Sequence, residues 1–381
     1  MSSRPGQVGG DPGRPFDVVV IGAGQAGLAV AYYLRRAGFA PHLDVVVLDA
    51  NERPGGAWQH LWPSMRLFSP PAFSSLPGWM MPGADTDYPP ATHVVDYLAR
   101  YERRYQLPVL RGRRATAVTR IDDDPRGALL VSGTGRDGEA ASWTTRAVVS
   151  ATGTWARPFV PHYPGGDTFA GQQVHSCDYR GPEPYAGRRV VVVGGGNTAA
   201  QLLAEISEVA ETTWVTLRPP RFLPDDVDGR VLFDVATTRR RALDAGERDP
   251  GGVAGLGDVV MVESVRRARE RGALEAEAMF ERITASGIEW GDRSRQDADV
   301  ILWCTGFRPD LPHLAPLGLR REGTHPATTG TRAIDEPRLH LVGYGDWTGP
   351  ASATLIGVGR TAREAVREIA TDLARPGATA R

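Results

Sequence analysis

Two glycine-punctuated segments, one opening at Gly22 and the other at Gly194, constrain this chain more than any other feature. Each follows a short β-branched apolar run and leads into an apolar helical stretch. Phe16–Ile21 precedes Gly22-Ala-Gly24-Gln-Ala-Gly27, and Arg189–Val193 precedes Gly194-Gly-Gly196-Asn-Thr-Ala199. A buried strand that turns on glycine into a helix leaves the first helical N–H groups unpaired, and those groups suit a phosphate. In the first segment Gly22 permits the tight turn, Gly24 lets the backbone approach a pyrophosphate, and Gly27 lets helix and strand pack closely. The predicted helix covers Leu28 to Ala37, and a second strand, Val45 to Leu48, completes a βαβ unit. Asp49 stands at that strand's end, 27 residues after Gly22, with Phe39 to Asp44 accounting for the excess over a usual spacing of ~20. A carboxylate there hydrogen-bonds ribose hydroxyls.

The second segment repeats the pattern 172 residues later, as a GxGxxA variant. Its predicted helix is Asn197–Glu208 and its next strand is Thr213–Leu217. The strand is followed by Arg218, with Arg221 close by, and not by an acid. A carboxylate would repel a 2′-phosphate, whereas a guanidinium can clamp it, so this site suits NADP better than NAD. The bland alternative is two surface arginines among many: all 44 basic residues are arginine. Two dinucleotide sites in one chain imply a hydride passed from one cofactor to the other, and the usual partner of NADPH is a flavin. The segment Leu339-His-Leu-Val-Gly343-Tyr-Gly345-Asp346 fits the flavin side, with Asp346 bonding a ribityl hydroxyl or the pyrophosphate. The last helix is predicted over about 352–373, its N-terminus near Ala351 to Thr354 facing negative charge on the reduced flavin.

Composition narrows the classes. A length of 381 residues allows two or three domains, and 41% hydrophobic with 23% charged residues describes an ordinary globular chain. A net charge of −1 argues against a generally basic nucleic-acid binder and a polybasic membrane protein. The absence of lysine excludes a Schiff-base or pyridoxal-phosphate lysine and a Walker A lysine. The two cysteines, Cys177 and Cys304, form no CxxC, which removes a dithiol redox centre and a Cys-rich zinc site. Val18 to Leu34 is apolar enough to mimic a signal peptide, but Gln25 and the glycines inside it fit a strand, turn and helix better, so a cytoplasmic location is expected. The arginine runs 239–241 and 266–271 read as solvated faces. The expected fold is α/β, with two Rossmann-like dinucleotide-binding domains, the NADP domain inserted in the FAD domain. Residues 1–14 are a flexible tail, 15–155 and 296–381 bind FAD, and 156–295 bind NADPH.

Between the glycine segments, Phe169-x-Gly171-xxx-His175-xxx-Tyr179 resembles the FxGxxxHxxxY fingerprint of class B flavin-dependent monooxygenases. Gly55-Gly56-Ala57-Trp58 resembles their GGxW segment, and Ala151-Thr-Gly153-Thr and Thr305-Gly306-Phe307 resemble their hinges between FAD and NADP domains. Met65-Arg-Leu-Phe-Ser-Pro, Leu76-Pro77-Gly78 and Gly345-Asp346-Trp347-Thr348-Gly349 look like a short bacterial branch named for cation transport or resistance. The resemblance covers about residues 16–373. It implies that NADPH reduces FAD, that O2 adds to the reduced flavin, and that the resulting C4a-(hydro)peroxyflavin oxygenates a small substrate. It implies FAD at Gly22, Gly24, Gly27, Asp49, Trp58, Gly345 and Asp346, and NADP at Gly194, Gly196, Asn197, Thr198, Arg218 and Arg221. His175 and Tyr179 take coupling roles in the fingerprint. The implied partners are a small-molecule substrate and O2, without nucleic acid or membrane; a homo-oligomer is compatible.

Two departures bear on the chemistry. The Baeyer–Villiger branch ends its fingerprint in Trp where this chain has Tyr179, which favours heteroatom oxidation or decarboxylation. Animal-type members carry an asparagine in the loop matching Leu67 to Pro71, and Phe68-Ser69-Pro70 stands here. The second reading is therefore an NADPH:acceptor flavin oxidoreductase or oxidase that passes electrons to O2, a quinone, a metal ion or a partner protein. The third is a flavin-binding sensor without turnover.

Overall fold

The computed structural model describes residues 14–124, 127–227, 229–248 and 257–373. Residues 1–13 of the expected tail, and 374–381, lie outside them. The chain divides into two compact units: residues 1–59, 71–154 and 309–381, and residues 60–70 and 155–308.

The first unit is built on β1 (Phe16–Ile21), α1 (Gln25–Arg36) and β2 (Val45–Asp49), followed by α2 (Ala91–Arg104) and β3 (Val109–Arg111). An antiparallel meander of β4 (Arg114–Arg120), β5 (Leu129–Thr134) and β6 (Ala140–Ser150) follows. All six residues of β1 and all five of β2 are buried, so Val18–Ile21 and Val45–Leu48 read as apolar runs and not as alternation, while the buried carboxylates Asp17 and Asp49 pair with Arg146 and Arg111. β1 pairs in parallel with β2 and β6.

The second unit holds β7 (Gln172–His175), β8 (Arg189–Val193), α3 (Asn197–Ile206) and β9 (Glu211–Thr216). After these come α4 (Gly229–Asp244), α5 (Glu263–Glu270) and β10 (Ala276–Ala278). The short strands β11 (Arg282–Thr284), β12 (Gly287–Glu289) and β13 (Arg295–Asp297) form an antiparallel sheet, and β14 (Val300–Trp303) closes the unit. The parallel sheet has the order β10-β9-β8-β14-β7.

The chain then completes the first unit with the hairpin strands β15 (Arg321–Glu322) and β16 (His325–Pro326), then β17 (Thr328–Thr329), β18 (Arg332–Ala333), β19 (Leu339–Leu341) and α6 (Val358–Asp372). The order of its main sheet is β17-β18-β19-β6-β1-β2-β3.

Three expectations change. α1 begins at Gln25, so the helix starts directly on the turn. α6 begins at Val358, not near Ala351, because Gly349 (φ 128°) and Ala351 (φ 60°) hold conformations a helix cannot use. The helix end expected to face the flavin is therefore a series of turns. The second unit runs to Arg308 instead of ending at 295, since β14 pairs with β7 and β8.

Candidate functional site

In the first unit the Gly22 turn and the Gly55-Gly56 segment meet. A Cβ on Gly56, whose φ is +54°, would lie 2.7 Å from Gly24 Cα. Two backbones this close leave a cradle that any side chain would fill. Gln25, the first residue of α1, joins three parts of the cradle: it accepts from the Trp58 indole at 2.9 Å and donates to the Ala353 carbonyl at 2.6 Å. Sequence reasoning passed over Gln25, although it is the one polar side chain within Val18 to Leu34 apart from the tyrosines at its end.

Asp49 is buried, and its carboxylate is already engaged. One oxygen accepts from the Ala23 N–H (3.2 Å) and Arg111 (2.6 Å), the other from the Asn51 N–H and amide (both 2.9 Å). Its first task is to hold the glycine turn against β2. Arg111, which sequence reasoning missed, also pairs with Glu102, whose carboxyl burial pushes up against the pull of that arginine. Gly345 takes φ +93° and Asp346 is exposed on the following turn.

Beneath this turn, at the carboxyl ends of β6 and β19, four side chains form a hydrogen-bond chain whose direction can be deduced. Thr152 Oγ1 donates to the Asp310 carbonyl at 2.6 Å, and a carbonyl only accepts. Tyr344 must then donate to Thr152 (2.7 Å) and accept from Ser150 (2.6 Å). Ser150, its proton used, must accept from His313 Nε2 at 3.0 Å. Burial pushes the Tyr344 phenol up to about 12 and His313 down to about 4, so both are neutral links.

In the second unit Gly194 turns at φ +133° beneath the Cys304 carbonyl, and the Trp214 indole donates to the Gly194 carbonyl at 2.6 Å. Asn197 accepts from the Val260 N–H at 2.8 Å, which fastens the start of α3 to the chain before α5. Thr198 follows, half-buried on the first turn. A Cβ on Gly196 would meet nothing within 4 Å. Beyond β9, Leu217 is 84% exposed and Arg218 is exposed. Arg221 is different from what spacing implied: it grips Asp258 through Nε and Nη2, both at 3.0 Å, so much of its guanidinium is taken up. In α5, Arg269 is exposed as expected and forks onto Asp225 at 2.8 and 3.1 Å.

The fingerprint residues lie in the same unit. His175 ends β7 with both ring nitrogens occupied: Nδ1 accepts from the Cys177 N–H at 3.1 Å, and Nε2 faces the Gly306 carbonyl at 3.0 Å. An acceptor at one nitrogen and a donor at the other define a neutral ring with its proton on Nε2, and burial lowers its pKa further. The ring therefore holds the Gly306 carbonyl and has no nitrogen left for proton transfer. Tyr179 is buried, and its phenol donates to Glu205 at 2.8 Å. Burial pushes the Cys177 thiol up to about 11, and both cysteines are unpaired.

A family model described as pyridine nucleotide-disulphide oxidoreductase matches residues 19–343. The chain belongs to that family. Among solved structures, a flavin-containing monooxygenase from Stenotrophomonas maltophilia is 47% identical, with a TM-score of 0.82 over 93% of this chain and 98% of the other. A CzcO-like oxidoreductase of Geobacillus kaustophilus is 26% identical over 93% of this chain and 98% of its own length. An indole-3-pyruvate monooxygenase of Oryza sativa subsp. japonica is 26% identical over 82% and 81%. The family's name mentions a disulfide, but this member has no CxxC pair. Its two glycine turns fit the family's two dinucleotides: a side chain at Gly56 would run into the backbone of Gly24, and the Gly196 turn lies open.

Proposed function

We propose that the chain is an NADPH- and FAD-dependent monooxygenase that oxygenates a small, heteroatom-containing substrate, with FAD on the first unit and NADP on the second. The observation that carries this reading is the pair of glycine cradles in one chain, supported by its 47% identity to a flavin-containing monooxygenase. When bound, FAD supplies a two-electron carrier between NADPH and O2. The chain's own residues bind and orient. Gly24 and Gly56 admit the pyrophosphate, and the start of α1 turns unpaired N–H groups toward it. Asp49 and Arg111 keep that turn in place. Asn197 and Thr198 stand where the second pyrophosphate would approach α3, and Arg218 offers an exposed guanidinium for a 2′-phosphate. His175, neutral and doubly bonded, orients the Gly306 hinge.

Tyr179 in place of tryptophan supports a sulfide or amine as substrate over a ketone. Among the described residues no helix is long and apolar enough to cross a membrane, and no group of three His, Cys, Asp or Glu side chains could hold a metal ion. The test is turnover under ¹⁸O2 with NADPH and a panel of methyl sulfides and tertiary amines. One labelled oxygen in the product per NADPH consumed is expected. Stoichiometric H2O2 with every substrate would overturn oxygenation and leave the NADPH:acceptor reading.

A further inference from the structure

Residues His60–Pro70 lie in sequence between two stretches of the first unit, yet they pack with the second. This strap follows Trp58 of the cofactor cradle and rejoins the first unit at Pro71. Its apolar anchor is Trp62, buried in a core with Leu203 and Trp214 and edge-on to Tyr179 at a centroid distance of 6.2 Å. Leu61 and Met65 pack against the same core.

One polar group accompanies that anchor. Glu205 accepts from Ser64 Oγ at 2.5 Å through one carboxylate oxygen and from the Tyr179 phenol at 2.8 Å through the other. The Glu205 charge, after burial itself, is what pushes the Tyr179 phenol well above its ordinary range. Glu205 stands in the last turn of α3, where a carboxylate opposes the helix dipole and no basic residue offsets it. Its position there does nothing for the helix, whereas its two hydroxyl partners use both of its oxygens. The opposite end of this ten-residue helix, about 12 Å from Glu205 along the axis, is the Asn197–Thr198 turn.

We propose that Glu205 is a positioning residue. Through Ser64 and Tyr179 it fastens the strap to the helix whose first turn receives NADP, so that nucleotide occupancy and strap order are coupled. The inference rests on the assignment of NADP to the second unit. The strap, joined at both ends to the first unit, then serves as the segment through which the state of the nucleotide site reaches the flavin side of the chain.

The test is hydrogen exchange of the peptide covering residues 60–70 in the flavin-loaded protein, with and without NADP⁺, in the wild type, Ser64→Ala and Glu205→Ala. Ser64 is exposed, so its truncation leaves the fold intact even if Glu205→Ala does not. Both variants are expected to exchange the strap about tenfold faster, as loss of a charge-assisted bond implies. NADP⁺ is expected to slow strap exchange in the wild type only, while its dissociation constant changes less than about twofold in Ser64→Ala. Glu205→Gln, which keeps one acceptor oxygen, should restore part of the response. Wild-type exchange rates in both variants would overturn the anchor. NADP⁺ that binds the wild type without slowing the strap would overturn the coupling. Failure of NADP⁺ to bind the wild type at all would overturn the nucleotide assignment and the coupling with it, a failure read from binding alone.

Discussion

The two glycine turns share a sequence plan but not an environment. Around Gly24 the protein is crowded: Gly56 presses on the turn, Gln25 ties Trp58 to Ala353, and Asp49 is occupied by four donors. Around Gly196 it is open, with empty space at the turn and an exposed Leu217–Arg218 edge. A crowded cradle with its polar groups already fixed suits a cofactor that stays, because preorganised groups lose little on binding. An open turn with an exposed cation suits a cofactor that must come and go. On the proposed assignment, the same βαβ unit serves a resident and a visitor by changing what surrounds the turn.

The hardest test of the contrast is Gly56→Val. The substitution places a branched side chain against Gly24 at a positive φ, so the purified protein should carry almost no flavin, measured as the FAD-to-protein ratio. A normal flavin content would show that the cradle is not the FAD site. Gly196→Val should behave in the opposite way. Its Cβ meets nothing, so the fold and flavin content are expected to persist while NADPH-driven flavin reduction slows roughly 100-fold. Loss of flavin in this variant would break the comparison.

The arginines sharpen it on a smaller scale. Arg218→Ala should raise KM for NADPH by roughly tenfold to a hundredfold and leave KM for NADH within about twofold, as expected for loss of a charge-assisted contact to phosphate. Arg221→Ala should change the NADPH-to-NADH ratio far less, because its guanidinium forks onto Asp258. Equal changes for both cofactors in Arg218→Ala would remove that residue from the 2′-phosphate site.

What the sequence disclosed follows the same division. β1, β2, β8 and β14 were legible because strands buried on both faces need unbroken apolar runs, and the turns because glycine alone tolerates their geometry. The residues around the turns were not legible. Gln25, Arg111 and Glu205 act through partners 33, 62 and 141 residues away, and no local pattern encodes such pairings. The strap looked like part of the first unit because only Trp62 finding the core of the second unit decides its allegiance. The unit boundary after β14 was hidden likewise: an apolar strand does not state which sheet it joins. Arg221 shows the converse, a correct residue type at a suitable spacing whose charge is spent on Asp258.

Acid compares the units from the side of stability, with the smallest effect at neutral pH. His313 and His340 both lie in the first unit, and burial pushes them down to about 4 and about 3. An unfolded imidazole titrates near 6.5, so between that value and about 4 the unfolded chain takes up protons that folded His313 refuses. The folded value is the lower one. Its contribution is therefore fully present above about pH 6.5 and is lost as pH falls toward 4, at ~1.4 kcal/mol per pH unit for each such group. Denaturant unfolding at pH 7, 6 and 5 should show this slope, and His313→Gln should flatten it by about one proton. Glutamine can still donate to Ser150, so the variant removes the titration while keeping the bond. An unchanged slope would mean that His313 is charged in the folded protein, and the hydrogen-bond chain beneath the first cradle would lose its neutral starting link.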